Sequence, residues 1–126
     1  MASLPYTALD GFSGVYLEDS FVLAIDEAAN SLSFVLEAVL TPEHHCYVPP
    51  DETQQHCYKA AHLAFLHVRQ VKWCRRTFER FYDQSNTFDL GNIDSMSVEG
   101  AEYLLCGDWG EVALWCDVPP RLTVEC

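Results

Sequence analysis

Apolar and polar positions alternate with a period of two along much of this chain. From Val15 the odd positions Val15, Leu17, Phe21, Leu23 and Ile25 are apolar, interrupted only by Asp19. A two-residue period of this length marks a half-buried strand. The polar triplet "EDS" at 18–20 predicts a bulge, or a break into two strands. After "EAAN", where Asn30 can adopt a left-handed backbone, alternation resumes at Leu32, Phe34, Leu36, Ala38 and Leu40. The two runs predict an antiparallel hairpin with Phe21, Leu23, Ile25, Phe34 and Leu36 in the core.

Residues 57–82 carry two conflicting patterns. Ala61, Ala64, Val68, Val71, Arg75, Phe78 and Tyr82 are spaced by three and four, which suits one face of a helix. The same stretch is rich in aromatic and branched residues, and its neighbours are strands. A strand over about 62–73 is therefore expected, with a short helical turn after it. In "GAEYLLCGDWGEVALWCD" two apolar runs flank Gly107-Asp108-Trp109-Gly110, a further hairpin. The prolines at 119–120 stop its second strand, and "RLTVEC" reads as a terminal strand. Short strands separated by turn signals predict a mainly β fold. The expected form is one domain over 1–126, an antiparallel sandwich or partly open barrel, with at most one short helix around 60–82.

Composition narrows the setting. The chain has 126 residues, 49% of them hydrophobic, enough to build a core. No apolar run reaches the ~20 residues of a membrane-spanning helix. The N-terminal stretch lacks the basic and apolar regions of a secretory signal, so a cytoplasmic protein is expected. In that setting all six cysteines are expected to be reduced, with no cofactor and no stoichiometric zinc.

The net charge of −12 disfavours nucleic acid and anionic membrane as partners, since both are polyanions. The charge is unevenly placed. Five of the seven basic residues and a single acid lie between Arg69 and Arg80, a local +4. The remaining two basic and eighteen acidic residues then carry −16. Such a surface suits a basic protein partner.

Candidate chemistry is sparse. "HCYVPPDETQQHCY" repeats a His-Cys-Tyr triplet at His45-Cys46 and His56-Cys57. These four side chains offer the nitrogen and sulfur donors that zinc prefers. Adjacent residues of an extended chain point to opposite faces, however, so the four can share one ion only if the backbone turns. A Cys46–Cys57 disulfide is open to a closed loop, but the compartment argues against it. Ser13 lacks the spacing of a nucleophile elbow. Asp89 and Asp94 in "DLGNID" lack the ligand pattern of a calcium loop and read as loop caps. No catalytic residue is assigned.

Trp109 sits inside a turn, where a large ring would stand exposed unless it folds back over the end of the fold. Flanked by Asp108 and Glu111, and with Glu18 on the first long strand, it forms the expected partner-binding set. The leading expectation is a non-enzymatic acidic interaction module. It resembles in type, on size and charge rather than on any motif, the immunity proteins that neutralise bacterial toxins, and no residue is carried over from them. Two further expectations stand beside it. One is a small-molecule- or metal-binding β domain centred on the His/Cys loop 44–58. The other is an enzyme whose chemistry no motif reveals.

Overall fold

The computed structural model describes residues 3–126. A two-residue strand, β1 (Leu4–Pro5), and a 3-10 turn at Tyr6–Ala8 precede the long alternations. These form β2 (Val15–Ala28) and β3 (Ser31–Leu40), paired antiparallel as the pattern predicts. On β3, Leu32, Phe34, Leu36, Ala38 and Leu40 are all buried.

The bulge at 18–20 changes which residues of β2 face the core. The β2–β3 register shifts between Tyr16 and Phe21, and again between Val22 and Ala24. Ser20, fully buried, plugs the first shift: its hydroxyl donates to the Tyr16 carbonyl at 2.7 Å and accepts the Val39 N–H at 2.9 Å. Val15 and Leu17 point inward before the shift, and Ser20 and Val22 after it. A one-residue slip turns every following side chain to the other face. Phe21 and Leu23 are thereby expelled from the core predicted for them. Phe21 stacks on Tyr58 at 5.9 Å and Leu23 is 38% exposed. The second shift brings Ile25 back only as a half-buried residue at the core's margin.

Residues 57–76 resolve as two strands, β4 (Cys57–Leu66) and β5 (Val68–Arg76), with no helix or helical turn. Ala61, Leu63 and Phe65 face inward while Ala64 faces outward, so the helical spacing was coincidental. The two strands belong to different sheets. His67 joins them in a left-handed conformation, φ 56°, and there the chain crosses from one layer to the other.

The remaining strands are β6 (Phe81–Tyr82), β7 (Phe88–Asp89), β8 (Ile93–Glu99), β9 (Glu102–Gly107), β10 (Gly110–Cys116) and β11 (Arg121–Val124). One sheet runs β1-β8-β9-β10-β5, a second runs β11-β4-β3-β2, and β6-β7 form a small hairpin. Phe34 and Phe65 of the second sheet meet Trp109 of the β9–β10 turn and Tyr103 of β9, with ring centroids 5.2 Å and 5.5 Å apart. Rings of this size each bury ~150–250 Å² and tie the layers together.

Along one side the sandwich is stitched shut. Val22 exchanges backbone hydrogen bonds with Leu90 and Gly91, both at 2.8 Å, and Asn92 Nδ2 donates to the Ser20 carbonyl at 2.6 Å. The sequence "DLGNID" is thus the corner between the sheets. Asp89 caps it by accepting the Gly91 N–H at 2.8 Å. Among the described residues the turn at Tyr6–Ala8 is the only helical segment, and no helix is long and apolar enough to cross a membrane.

Candidate functional site

The four residues expected to meet a partner do not form one surface. Trp109 is 1% exposed. Its ring packs on Phe34 and, edge-on at 6.0 Å, on Trp73, and its Nε1 donates to the Asn92 carbonyl at 3.0 Å. A ring satisfied on all sides inside the protein cannot anchor a partner, so the role expected for Trp109 is corrected to a core role. The close approach has a backbone requirement: a Cβ at Gly107 would lie 2.5 Å from the indole nitrogen.

Glu18, half-buried on β2, accepts a short hydrogen bond from the Tyr6 hydroxyl. Burial, and then this bond, push the Tyr6 phenol well above its ordinary range. Asp108 and Glu111 do lie together at the β9–β10 turn. Asp108 accepts the Asn92 N–H at 3.1 Å, and Glu111 accepts the Cys106 thiol at 3.3 Å. Asp94 joins them: burial, followed by the nearby Asp108 carboxylate, raises its carboxyl above the usual range, while Arg75 opposes the shift.

The His/Cys loop is assembled differently from the pattern of its triplets. His56 Nε2 lies 3.5 Å from Asp19 Oδ2, and the buried Cys57 sulfur accepts the Val48 N–H at 3.4 Å. Neither joins His45 and Cys46, so the fallback candidates His45, Cys46, His56 and Cys57 are not brought together as one ligand set. Among the described residues the donors that converge are His44, His45 and Cys46, whose ligand atoms lie within 4.8 Å of one another. Cys46 is joined to Cys126, eighty positions away, with a Cα–Cα separation of 5.0 Å. This overturns the expectation of six reduced thiols: β11 runs back along β4 and returns the C-terminal residue to the loop, a contact that no local spacing reveals. Cys57, Cys74, Cys106 and Cys116 are free thiols.

One surface feature went unread in the sequence. Phe78 is 76% exposed and Tyr82 60%, with Phe81, Phe88 and Leu23 also prominent. With Leu23, Ile25 and Leu90, the rings of Phe78 and Phe88 line a groove of about 300 Å³. Arg76 lies 5.0 Å from the Phe78 ring and pairs with Glu27 at 2.7 Å, and Arg80 lies over Phe88 at 4.7 Å. The available signal was aromatic density without strand period in "FERFYDQSNTF". The groove is shaped by the small hairpin, where Asp83 accepts hydrogen bonds from Ser85 and Thr87. Those bonds, the Thr87 hydroxyl first, lower the Asp83 carboxyl to about 2.

No protein-family model matches the chain. No curated protein and no solved structure matches it either.

Proposed function

We propose that this chain is a non-enzymatic interaction module whose acidic surface engages a basic protein partner. The observation that carries the reading is the exposed apolar groove between Leu23, Phe78 and Phe88. Contiguous exposed rings of this kind mark protein-binding surfaces. Charge supports the same assignment. Arg76 is paired with Glu27, Arg80 is placed over Phe88, and Glu79, Asp83 and Asp89 lie in the same segments. The groove lining itself carries two cations, Arg76 and Arg80, and the acids that would meet a basic partner lie outside it, every acid of the chain being exposed or half-exposed. In this reading the acidic surface steers the encounter and the rings hold the complex.

The experiment is affinity capture from the source organism's lysate, followed by kinetics with the purified partner across a salt series. The association rate should fall steeply with salt, because fields beyond ~8 Å are screened at physiological ionic strength. Phe78→Ala should mainly speed dissociation. A partner whose association ignores salt and whose dissociation ignores Phe78→Ala refutes the reading, as does turnover of a small substrate.

A further inference from the structure

The objection to a shared ion at the His/Cys loop was that neighbouring residues point apart. In the folded chain the backbone turns twice there. The His44 N–H donates to the Thr41 carbonyl and the Tyr47 N–H to the His44 carbonyl, both at 3.0 Å. These overlapping turns put the His44 and His45 rings in a stack, 4.7 Å between centroids and 18° from parallel. They also carry the Cys46 sulfur to the same spot. The bond to Cys126 delivers a fourth donor from the chain's other end. Two imidazoles and two sulfurs are the donor set of a tetrahedral zinc site, whereas calcium and magnesium demand oxygens.

We infer that opening the Cys46–Cys126 disulfide converts this corner into a zinc site with His44, His45, Cys46 and Cys126 as ligands. A dithiol reductant supplies two electrons and two protons. The S–S bond breaks, Cys46 and Cys126 become thiols, and the reductant becomes a disulfide. Zinc then displaces one proton from each thiol, and the two thiolates offset its double charge while the neutral imidazoles contribute lone pairs.

The required movement is small. With Zn–S near 2.3 Å and Zn–N near 2.0 Å, tetrahedral donors sit ~3.3–3.8 Å apart. The loop donors, now within 4.8 Å, close by roughly 1 Å, and the two sulfurs separate to about 3.8 Å. His44 Nδ1 now accepts the Cys46 N–H at 3.0 Å, and that lone pair turns to the metal. His45 and Cys126 are exposed, and a groove of about 370 Å³ lined by Ser13, Glu43, His44 and His45 opens onto the two histidines. Disulfide and zinc compete for the same sulfurs, so the corner is a switch between an oxidised, metal-free state and a reduced, zinc-bound one. This inference is independent of the partner-binding groove.

The test uses the full chain in both states. One sample is kept oxidised; the other is reduced with a dithiol, desalted without oxygen and checked for six titratable thiols. Each is titrated with cobalt(II), read by its thiolate charge-transfer absorption, and with zinc by chelator competition. The reduced chain should bind one ion and the oxidised chain none. His45→Ala and Cys126→Ser, both at exposed positions, should weaken zinc binding at least about a hundredfold, since loss of even an outer-shell partner costs ten- to a hundredfold. Cys74→Ser, at an exposed free thiol, should leave it unchanged. The inference is overturned if the fully reduced chain binds cobalt no better than the oxidised one. It is equally overturned if Cys126→Ser binds cobalt with the parent's affinity and the parent's full thiolate absorption intensity.

Discussion

The Asn92 carbonyl accepts the Trp109 indole N–H at 3.0 Å, so the largest buried ring of the protein is tethered to the corner where the two sheets join. The same asparagine donates its side chain to Ser20 and its backbone N–H to Asp108. One residue therefore holds the β2 bulge, the β9–β10 turn and the core tryptophan in fixed relation.

Trp109→Ala should lower unfolding free energy by about 3–5 kcal/mol, the range for emptying a large aromatic site. Trp109→Phe keeps most of the packing and should lose roughly 1 kcal/mol for the missing hydrogen bond, more if the Asn92 carbonyl stays dry. Urea denaturation of both variants measures this. A change below 1 kcal/mol in Trp109→Ala would show that the ring is not the central packing element.

Alkaline pH should unfold the protein earlier than its acidic composition suggests. The phenols of Tyr6, Tyr58 and Tyr103 are all raised, burial being the first cause in each. A group raised in the folded state stabilises fully below its unfolded value, about 10 for tyrosine, and loses that contribution as pH climbs from there. Urea midpoints should therefore begin to fall at about pH 10 and keep falling as pH rises further. Tyr6→Phe should flatten that fall, and an unchanged slope would remove Tyr6 as its main source.

The β6–β7 hairpin should respond at the other end of the scale. Asp83 is lowered in the folded chain, so its contribution is present above the ordinary carboxyl value near 3.9 and is lost as pH falls toward about 2. Carboxyl carbon NMR should find Asp83 titrating below the other exposed acids. Asp83→Ala should loosen the contact between the Tyr82 and Phe88 rings, now 5.7 Å apart. Persistence of that contact in the variant would contradict this.

Cys126→Ser should destabilise the oxidised protein by about 2–4 kcal/mol, because it releases a link closing a loop of eighty positions. Under a dithiol reductant without added metal, parent and variant should melt together. Thermal unfolding with and without reductant checks this, and a difference persisting in reductant would place the effect in packing at Cys126 instead.

The hairpin β2–β3 was legible because period-two alternation is a local property; Asn30 sits in its turn, but without the left-handed backbone expected of it. The same alternation misplaced Phe21 and Leu23, since a bulge at Ser20 changes the phase without altering the pattern of apolar letters. The crossing at His67 was invisible for a related reason: apolar residues continue on both sides while the strand changes sheets. At the candidate sites, Asp108 and Glu111 flank the β9–β10 turn, whereas Trp109 leaves that turn for the core. Its destination depends on Phe34 and Trp73, far away in sequence. The partner of Cys46 likewise lies beyond any local spacing.

The position of β5 gives the concentrated positive charge a second meaning. β5 ends the five-stranded sheet, and an edge strand is an open template for another chain. Arg69, Lys72, Arg75 and Arg76 all lie on it. Arg69 and Arg76 are held by Asp117 and Glu27, so two copies approaching edge to edge along β5 would set Lys72 and Arg75 of one against those of the other before any backbone bond could form. An otherwise acidic protein thus carries cations along its open edge, where charge of one sign opposes edge-to-edge pairing.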